Sequence, residues 1–555
     1  MARLLIFFFC CSVNCVAQTA PGKFWVQFTD KNDSPYSLNQ PSEFLSAACI
    51  ERREKFSIGF DALDLPVSEN YIQQVLASGQ CSLHNKSKWF NAITISTADT
   101  TLAETIAAFP FVAEVRSVQV FHADHAIPVL KRLELDLASD QVTETACAGF
   151  EYYGPSFRQI EMLNGHLIHQ LGFTGDSIDI AQFDAGWTMT NQLPAFHQLR
   201  NDGRIVMTKD FVYHDQVYNL STHGTFVLST MAGNIPDSLI GTAPDANYYL
   251  FRTEDPLSEY LVEEDNWVAA AELADSLGID IINSSLGYSN FDDDAQDHTY
   301  SDMDGNTTRC SIAADIAAAK GILVVNSAGN SGNNNWHYIT APSDGDSVLC
   351  VGAVNANLEH AVFSSFGPSS DGDVKPDVVT MGQATVYAAL DSTISTGNGT
   401  SFASPIMAGM AACLMQAFPN KSNMEILQAI RNSASLINAP NDSLGYGVPN
   451  MITAWLLLTQ NENQTAGDFG MMIFPNPCVD RMQVFMETIP YCNASYEIYD
   501  AIGQRVFADS GVILDKNLGV ISLDHAVRNL AQGNYILHVG HAGRHAVLHF
   551  QKINP

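Results

Sequence analysis

The chain has 555 residues, with 60 acidic and 27 basic side chains and a formal net charge of −33. At roughly 100–200 residues per domain, this length predicts about two to four domains. Hydrophobic residues make up 46% of the chain and aromatic residues 10%, which supports sizeable cores and argues against disorder. The acidic balance excludes nucleic acid and anionic membrane surfaces as favoured partners, because both are polyanions.

The N-terminus indicates export. A positively charged start at Met1–Arg3 precedes the unbroken apolar run Leu4–Cys11, and small residues stand at Cys15 and Ala17, where a signal peptidase would read them. We therefore interpret residues 1–17 as a cleaved signal peptide. No later run reaches the roughly 18 apolar residues of a membrane span, so we predict none.

Eight cysteines remain after residue 17, thinly spread and without a C-x-x-C pair, so a tetrahedral zinc site is not expected. In an exported chain the default is disulfides within each module. Cys413 lies in an Ala-rich helical stretch and is instead predicted to be a small buried hydrophobe. The sequence-near candidate pairs are Cys49–Cys81, Cys310–Cys350 and Cys478–Cys492.

Residues 18–149 contain short strands and helices. Apolar patterning predicts strands at Phe24–Phe28, Ala92–Ser96 and Phe111–Val120, and a helix at Thr101–Phe109. This mixture predicts a small α+β domain.

Residues 150–458 alternate buried β-type runs with helical stretches. Such alternation predicts an α/β domain, a parallel sheet with helices on both faces. The predicted strands are Ser177–Phe183, Ile279–Asn283, Ile322–Asn326 and Val348–Val351, and the predicted helices are Trp267–Leu277, Cys310–Lys320 and Ser404–Phe418.

The C-terminal part divides into a linker and a β domain. Residues 459–467 are polar and are predicted to be a linker. Residues 468–555 are rich in short strands separated by turn residues, so we predict a small β-sandwich.

Three residues of the α/β segment are candidates for catalysis. Asp184 follows a predicted strand, His223 precedes Gly224 at the start of a helix, and Ser401 stands at the mouth of a long small-residue helix. Each alone also fits a structural role, as a turn residue, a core histidine or an N-cap serine. Together they fit nucleophilic catalysis, because a serine needs a neutral imidazole as base and the imidazole needs a carboxylate to fix its tautomer.

Residues 150–458 resemble the subtilisin-like serine proteases. The motifs that carry the resemblance are Asp184-Ala-Gly, His223-Gly-Thr and Gly399-Thr-Ser-Phe-Ala-Ser-Pro405, in the chain order Asp, His, Ser. The resemblance implies a subtilisin-like fold and a secreted serine endopeptidase that cleaves protein or peptide substrates through an acyl-enzyme. Asn330, in Ser327-Ala-Gly-Asn330, matches the asparagine that assists the oxyanion hole in this family.

The same resemblance implies the substrate-binding residues. One wall of the cleft would be Ser284, Ser285, Leu286 and Gly287, whose backbone would pair with an extended peptide, and the other wall would be Ala328 and Gly329. Two residues depart from the family pattern. Phe226 replaces a frequent second histidine, and Tyr288 stands where a small residue is common, so that it could narrow or cover the pocket.

The chemistry requires no cofactor in this family, and a structural calcium ion is compatible with it. The acidic stretch Phe291–Asn306 has oxygen ligands of the kind that calcium prefers, but it lacks a full calcium-loop pattern, so a solvated acidic loop is the favoured interpretation and a calcium site stays open.

The flanking segments carry resemblances of their own. Residues 18–149 resemble the prodomains that help subtilisin-like proteases to fold and then block them. Residues 468–555 resemble the C-terminal sorting domain of type IX secretion, through Ile473–Pro477, Tyr496–Gly503 and Leu530–Tyr535. These imply two partners, the chain's own prodomain and the secretion machinery, and a secreted or cell-surface protein exported through the periplasm of a Gram-negative bacterium.

Two other interpretations remain open at this point. One is a catalytically inactive subtilisin-like domain that serves as a surface binding module. The other is an esterase that uses the same three residues.

Overall fold

The computed structural model describes residues 22–32, 34–99, 101–120, 150–459, 471–474, 478–480, 482–486, 493–513, 520–541 and 544–553. The chain forms two compact units that divide between Asn450 and Met451. The signal peptide, the end of the predicted prodomain and most of the predicted linker lie outside the described residues.

The N-terminal domain is an antiparallel sheet with helices on one face. Its elements are β1 (Gly22–Phe28), α1 (Ala47–Lys55), α2 (Glu69–Ala77), β2 (Cys81–Ser87), β3 (Ala92–Thr97), α3 (Leu102–Ala107) and β4 (Val112–Val120), with strand order β2-β3-β1-β4. Alternate residues of β1 point to opposite faces. Phe24, Val26 and Phe28 therefore pack in the core beneath α2 and α3, while Trp25 enters a different core.

The main domain is built on a seven-stranded sheet with strand order β13-β12-β11-β10-β5-β9-β6, and every pair in it is parallel. The strands of this domain are β5 (Asp179–Asp184), β6 (Ile205–Asp210), β7 (Asn234–Ile235), β8 (Leu239–Ile240), β9 (Asn247–Arg252), β10 (Ile281–Ser284), β11 (Leu323–Ser327), β12 (Leu349–Val354), β13 (Val378–Met381), β14 (Thr385–Ala388) and β15 (Ile394–Gly397). Because helices cover both faces, the central strands are buried throughout, which explains their unbroken apolar runs.

The helices of the main domain are α4 (Phe150–Tyr153), α5 (Phe157–Glu161), α6 (Gly165–Gln170), α7 (His197–Asn201), α8 (His223–Ala232), α9 (Val262–Leu277), α10 (Arg309–Ala319), α11 (Thr400–Ala417) and α12 (Asn423–Asn432). The predicted strands and helices are confirmed. The largest differences are the earlier starts of α9 and α11. The first turn of α9 carries Glu263, Glu264 and Asp265, whose charges suit a helix N-terminus.

Trp25 joins the two domains of this unit through a shared core. Trp25, Trp89 and Val118 of the N-terminal domain pack in one hydrophobic cluster with residues of α9 and α10, among them Trp267 and Ala314. Both faces of the N-terminal sheet are therefore covered, one by its own helices and the other by the main domain.

The second unit consists of α13 (Met451–Thr459), β16 (Met471–Phe474), β17 (Gln483–Met486), β18 (Asn493–Asp500), β19 (Arg505–Ile513), β20 (Val520–Ser522), α14 (Asp524–Val527), β21 (Gly533–His541) and β22 (Arg544–Lys552). Two antiparallel sheets, β16-β17-β20 and β19-β18-β21-β22, contribute to a single core. The predicted small β domain is confirmed. Across the described parts of both units, no helix is long and apolar enough to cross a membrane.

The predicted disulfides Cys49–Cys81 and Cys310–Cys350 are wrong, since all four residues are free thiols. Cys49 lies on α1 with its Sγ 3.8 Å from a carboxylate oxygen of Asp275, whereas the Sγ of Cys81 faces the carbonyl of Val75. Proximity in sequence did not place the paired sulfur atoms together.

The structure also describes the other cysteines for which a role was predicted. Cys310 is the second residue of α10 and Cys350 lies within β12, so the two occupy different elements of the fold. Cys478 is also a free thiol, and its predicted partner Cys492 lies outside the described residues. Cys413 is fully buried within α11, which confirms its predicted role as a small core residue.

Arg252, the last residue of β9, holds the loop that leads to His223. Its guanidinium is fully buried, lies 2.8 Å from a carboxylate oxygen of Asp210, and donates to the carbonyls of Ala185 and of three residues within 216–219. One side chain thus pairs with the buried carboxylate of Asp210 and donates hydrogen bonds to the carbonyls of the loop.

We expect Arg252→Met to lower the free energy of unfolding by about 3–5 kcal/mol, because it leaves the Asp210 carboxylate buried without its cation. Urea unfolding followed by tryptophan fluorescence measures this. Lys86→Met is the matched control, since Lys86 and Glu69 form an exposed pair worth about 1 kcal/mol or less. Equal losses in the two variants would contradict the role assigned to Arg252.

Candidate active site

Asp184 and His223 form a buried pair at the carboxyl edge of the sheet. Asp184 ends β5, and His223 is the first residue of α8. The Nδ1 of His223 lies 2.8 Å from Oδ1 of Asp184, which also accepts from the backbone N–H of Ala185 at 2.7 Å. Because an ionised carboxylate only accepts, this contact places a proton on Nδ1 and leaves Nε2 as the basic nitrogen of the neutral ring.

Ser401 is the second residue of α11, close to the segment that follows β10. Its Oγ donates to the carbonyl of Ser285 at 3.3 Å, and the Oγ of Ser285 donates to the carbonyl of Ser401 at 3.0 Å. These reciprocal bonds fix the start of α11 against the sheet. The backbone N–H groups in the first turn of a helix have no partners within it, so that of Ser401 can donate outward.

Asn330 follows β11 and is oriented by Thr400. Its Oδ1 accepts from the backbone N–H of Thr400 at 2.8 Å and from the Oγ1 of Thr400 at 2.9 Å. Since the oxygen end of the amide is engaged with α11, the Nδ2 end is the donor end of the side chain.

One cleft with a volume of about 250 Å³ brings the predicted residues together. His223, Asn330 and Ser401 line it, and Asp184 lies behind His223. Of the predicted substrate-binding residues, four line this cleft: Ser285, Leu286, Gly287 and Gly329.

The other two predicted substrate-binding residues, Ser284 and Ala328, are not among the residues that line the cleft. Ser284 is the last residue of β10, fully buried, and its Oγ accepts from the indole N–H of Trp267 at 3.1 Å. Ala328 is fully buried and packs with Ile339 and Cys350.

The expectation that Tyr288 narrows the pocket is wrong, since its side chain is fully buried and does not line the cleft. Its hydroxyl donates to Oε2 of Glu254 at 3.2 Å. Burial, with Glu254 beside it, raises the pKa of Tyr288 well above its usual value, so the phenol stays protonated. Phe226, the other departure from the family pattern, packs against Tyr387 and Phe402.

The cleft also has an acidic side that the sequence analysis missed. Glu254 and Glu259 line it together with the candidate catalytic residues. One carboxylate oxygen each of Glu254, Glu259 and Glu263 lie within 4.8 Å of one another, and this is the group of potential metal ligands found among the described residues. The only sign of this acidic side in the sequence was a run of acidic residues just before α9, and such a run is typical of a solvent-exposed helix start.

Three carboxylates of Phe291–Asn306 accept hydrogen bonds from the backbone of the same stretch. Asp293 accepts from the backbone of Ala295, Asp297 from that of Phe291, and Asp304 from that of Asn306. These three carboxylates therefore have a local structural role.

Comparison with known families assigns three parts of the chain. Residues 196–447 match the model of the subtilase family. Residues 23–128 match the peptidase S8 propeptide domain of Bacteroidota, and residues 472–551 match a secretion system C-terminal sorting domain.

Curated proteins with similar sequences include subtilisins and an alkaline protease. Subtilisin DY of Bacillus licheniformis is 28% identical over 292 residues, which cover 52% of this chain and 93% of that protein. Subtilisin E of Bacillus subtilis is 27% identical over 291 residues, covering 52% of this chain and 68% of its own. An alkaline protease of Alkalihalobacillus alcalophilus is 26% identical over 414 residues, covering 72% of this chain and 91% of its own.

Proposed function

The chain belongs to the subtilase family and is a serine endopeptidase, and on this basis we propose that Asp184, His223 and Ser401 form its catalytic triad. The observation that carries the proposal is the 2.8 Å contact between His223 and Asp184 at the wall of the cleft that Ser401 also lines. The inactive binding module is not favoured, because no member of this constellation is missing.

The first step is attack by Ser401 on the peptide carbonyl. In this structure its hydroxyl donates to the carbonyl of Ser285. Rotation about the Cα–Cβ bond redirects the hydroxyl towards Nε2 of His223, which takes the proton as the Oγ–carbon bond forms. Asp184 stabilises the imidazolium through Nδ1, and the imidazolium then protonates the departing amine. Water, activated by the same ring, hydrolyses the acyl-enzyme.

Besides the triad, the mechanism needs an oxyanion hole, and we assign Asn330 to it. The negative charge that develops on the carbonyl oxygen would be met by Nδ2 of Asn330 and by the backbone N–H of Ser401 in the first turn of α11. Thr400 holds the amide of Asn330 by its oxygen, so the donor is oriented before the substrate arrives. Such preorganised donors are worth roughly 100–1,000-fold in kcat each.

Extended peptide would bind along the two segments that line the cleft. Ser285–Gly287 follow β10, and Gly329 follows β11. Main-chain pairing with these segments would give affinity independent of sequence, as in other strand-addition modes. The acidic side of the cleft would add selectivity, because Glu254 and Glu259 favour a cationic side chain nearby. The chemistry uses side chains alone and needs no cofactor, and calcium, which the family commonly binds, would act on stability.

The N-terminal domain is proposed to act as an inhibitory prodomain that docks on α9 and α10. Glu272 of α9 supports this, since its carboxylate accepts from the Oγ of Ser87 and from the backbone N–H groups of Lys88 and Trp89. It thereby binds the turn between β2 and β3, which belongs to the N-terminal domain.

Charged contacts reinforce the docking surface. Asp275 of α9 is fully buried and pairs with Arg52, Arg53 and Lys88 of the N-terminal domain at 2.8–3.2 Å. These positive charges hold the pKa of the Asp275 carboxyl below its usual value despite burial. When the N-terminal domain leaves, Asp275 loses these cationic partners, so removal of the domain is a large electrostatic change.

The C-terminal β domain indicates a secreted or cell-surface protein. We propose that it serves as the address for type IX secretion machinery, after passage through the periplasm of a Gram-negative bacterium. A separately packed unit can carry an address that this machinery recognises.

We expect Ser401→Ala to lower peptide turnover by about a millionfold, because the nucleophile is lost while the fold is kept. Assays with a chromogenic peptide measure this turnover. Ser392→Ala, in the exposed turn between β14 and β15, is the control and should keep wild-type turnover. Retention of more than a few per cent by Ser401→Ala would remove the assignment.

The same variant should accumulate as unprocessed chain, because prodomain removal is expected to be autocatalytic. N-terminal sequencing of active wild-type enzyme should place the new start near Cys147–Tyr152. A start at Gln18 in fully active protein would rule out an inhibitory prodomain.

We expect Glu259→Gln to reduce the preference for basic residues near the cut. The measurement is kcat/KM for two peptides that differ only by Lys or Gln on the N-terminal side of the scissile bond. An exposed ion pair is worth about 0.2–1 kcal/mol, so the Lys/Gln ratio should fall by about 1.4- to fivefold. Glu359→Gln, on an exposed loop, should leave the ratio unchanged. An unchanged ratio in Glu259→Gln would refute the selectivity.

The docked domain should bind less tightly as pH falls. Burial, with Lys23 and His214 nearby, lowers the pKa of His84 to about 3 from 6.5, and its Nε2 lies 3.0 Å from Oδ1 of Asn266 on α9. A ring held neutral in the docked state contributes stability above pH 6.5 that is lost as pH falls towards 3. Nearby Asp265, whose pKa burial raises to about 6, acts in the opposite direction.

The contribution of His84 is isolated by His84→Gln in a Ser401→Ala background. Its thermal midpoint should fall less between pH 7 and pH 4 than that of the parent, while His197→Gln, at an exposed site, should follow the parent. Identical pH profiles for His84→Gln and the parent would show that His84 does not titrate with docking.

We expect truncation after Gln460 to leave peptide hydrolysis nearly unchanged and to stop export past the outer membrane. Activity in lysate and in medium, compared in a host with type IX secretion, measures both. Normal amounts of truncated enzyme outside the cell would refute the sorting role, and an inactive soluble enzyme would place the module in the catalytic fold.

A further inference from the structure

Gln182 is a buried amide in the middle of the main sheet. It lies on β5, two residues before Asp184, and therefore on the same face of the strand. It is fully buried, between the apolar residues Ala181 and Phe183. A buried amide destabilises a core unless its polar atoms are hydrogen-bonded, so its partners indicate why it is there.

The amide nitrogen of Gln182 bridges the two elements that carry the catalytic pair. Its Nε2 donates to Oδ2 of Asp184 at 3.2 Å and to the carbonyl of Gly224 at 3.0 Å. Oδ1 of the same carboxylate is bound by His223 and by the N–H of Ala185. Both carboxylate oxygens are thus held, and Gln182 supplies the bond on the side opposite to the imidazole.

Trp187 fixes which way this amide points. Its indole N–H donates to Oε1 of Gln182 at 3.1 Å, and the ring is fully buried. An indole N–H is a donor only, so its partner must be the oxygen of the amide. The nitrogen is thereby directed to Asp184.

Gly224 completes the link between strand and helix. Its N–H donates to the carbonyl of Gly186 at 3.0 Å, while its own carbonyl accepts from Gln182. A Cβ at this position would come within 2.6 Å of that carbonyl of Gly186 and 2.9 Å of the Trp187 ring. This close approach keeps His223, the preceding residue, in register with the end of β5.

We propose that Gln182 is a positioning residue for the Asp184–His223 pair, with Trp187 setting the orientation of its amide. The proposal rests on the triad assigned above. Gln182 does not line the cleft, so it acts on the chemical step through Asp184 and not on substrate binding. Loss of its hydrogen bond frees the carboxylate to rotate about its Cβ–Cγ bond and misaligns the imidazole.

The test compares kcat and KM of mature enzyme for a chromogenic peptide. Variants that process slowly are matured with a trace of wild-type enzyme, and a Ser401→Ala sample treated in the same way gives the background. Gln182→Met keeps the length of the side chain without hydrogen bonds. A misplaced catalytic group costs roughly 100-fold, so kcat should fall by about 10- to 100-fold with KM within about twofold of wild type.

Trp187→Phe removes the donor to Gln182 and should lower kcat by about three- to tenfold with KM unchanged. The double variant should be no slower than Gln182→Met alone, because both changes act through one hydrogen bond to Asp184. Gln159→Met is the matched control. Gln159 is an equally buried amide that binds the backbone of Val386, and its variant should keep wild-type kcat.

A wild-type kcat in folded Gln182→Met would overturn the proposal, as would a matching loss in Gln159→Met. If Met at position 182 prevents folding, Trp187→Phe carries the test, and full kcat in that variant would overturn it. Activity in Ser401→Ala above that of the added wild-type enzyme would instead overturn the triad, so the two failures are distinct.

Discussion

The buried hydrogen bond between Asp184 and His223 is the constraint on which the rest of the site depends. A carboxylate removed from water is costly unless its oxygens are hydrogen-bonded. The fold meets this requirement at the carboxyl edge of a rigid parallel sheet, where the N–H of Ala185 and the amide of Gln182 complete the bonding of Asp184. A site built from strand ends and helix starts holds these groups more tightly than a loop would.

The sheet also explains how residues far apart in sequence meet. β5, β10 and β11 are parallel neighbours, so their carboxyl ends lie at one edge. Asp184 ends β5, and Asn330 follows β11 by three residues. Ser401 stands at the start of α11, whose long stretch of small residues allows it to pack closely against the strands. The N-terminal domain docks on a different surface, α9 and α10, through carboxylates that are buried with cationic partners.

The features that could be predicted from the sequence are those set by local pattern. Continuous apolar runs gave the buried strands, and the motifs around His223 and Ser401 stand at helix starts. The features that could not be predicted depend on contacts between distant segments. The side chain of Tyr288 is buried beside Glu254, to which its hydroxyl donates. Cys310 stays a free thiol because α10 and β12 are different elements of the fold. The role proposed for Gln182 depends on partners that only the folded chain brings together.

The most direct test of the account is the site of covalent modification by a fluorophosphonate, which reacts only with an activated nucleophile. The mature wild-type enzyme and His223→Ala are each treated with the reagent, digested and analysed by mass spectrometry. We predict modification of wild-type enzyme on Ser401 and a rate reduced by orders of magnitude in His223→Ala. Modification of a different residue, or equal rates in the two proteins, would contradict the central claim that His223, held by Asp184, activates Ser401.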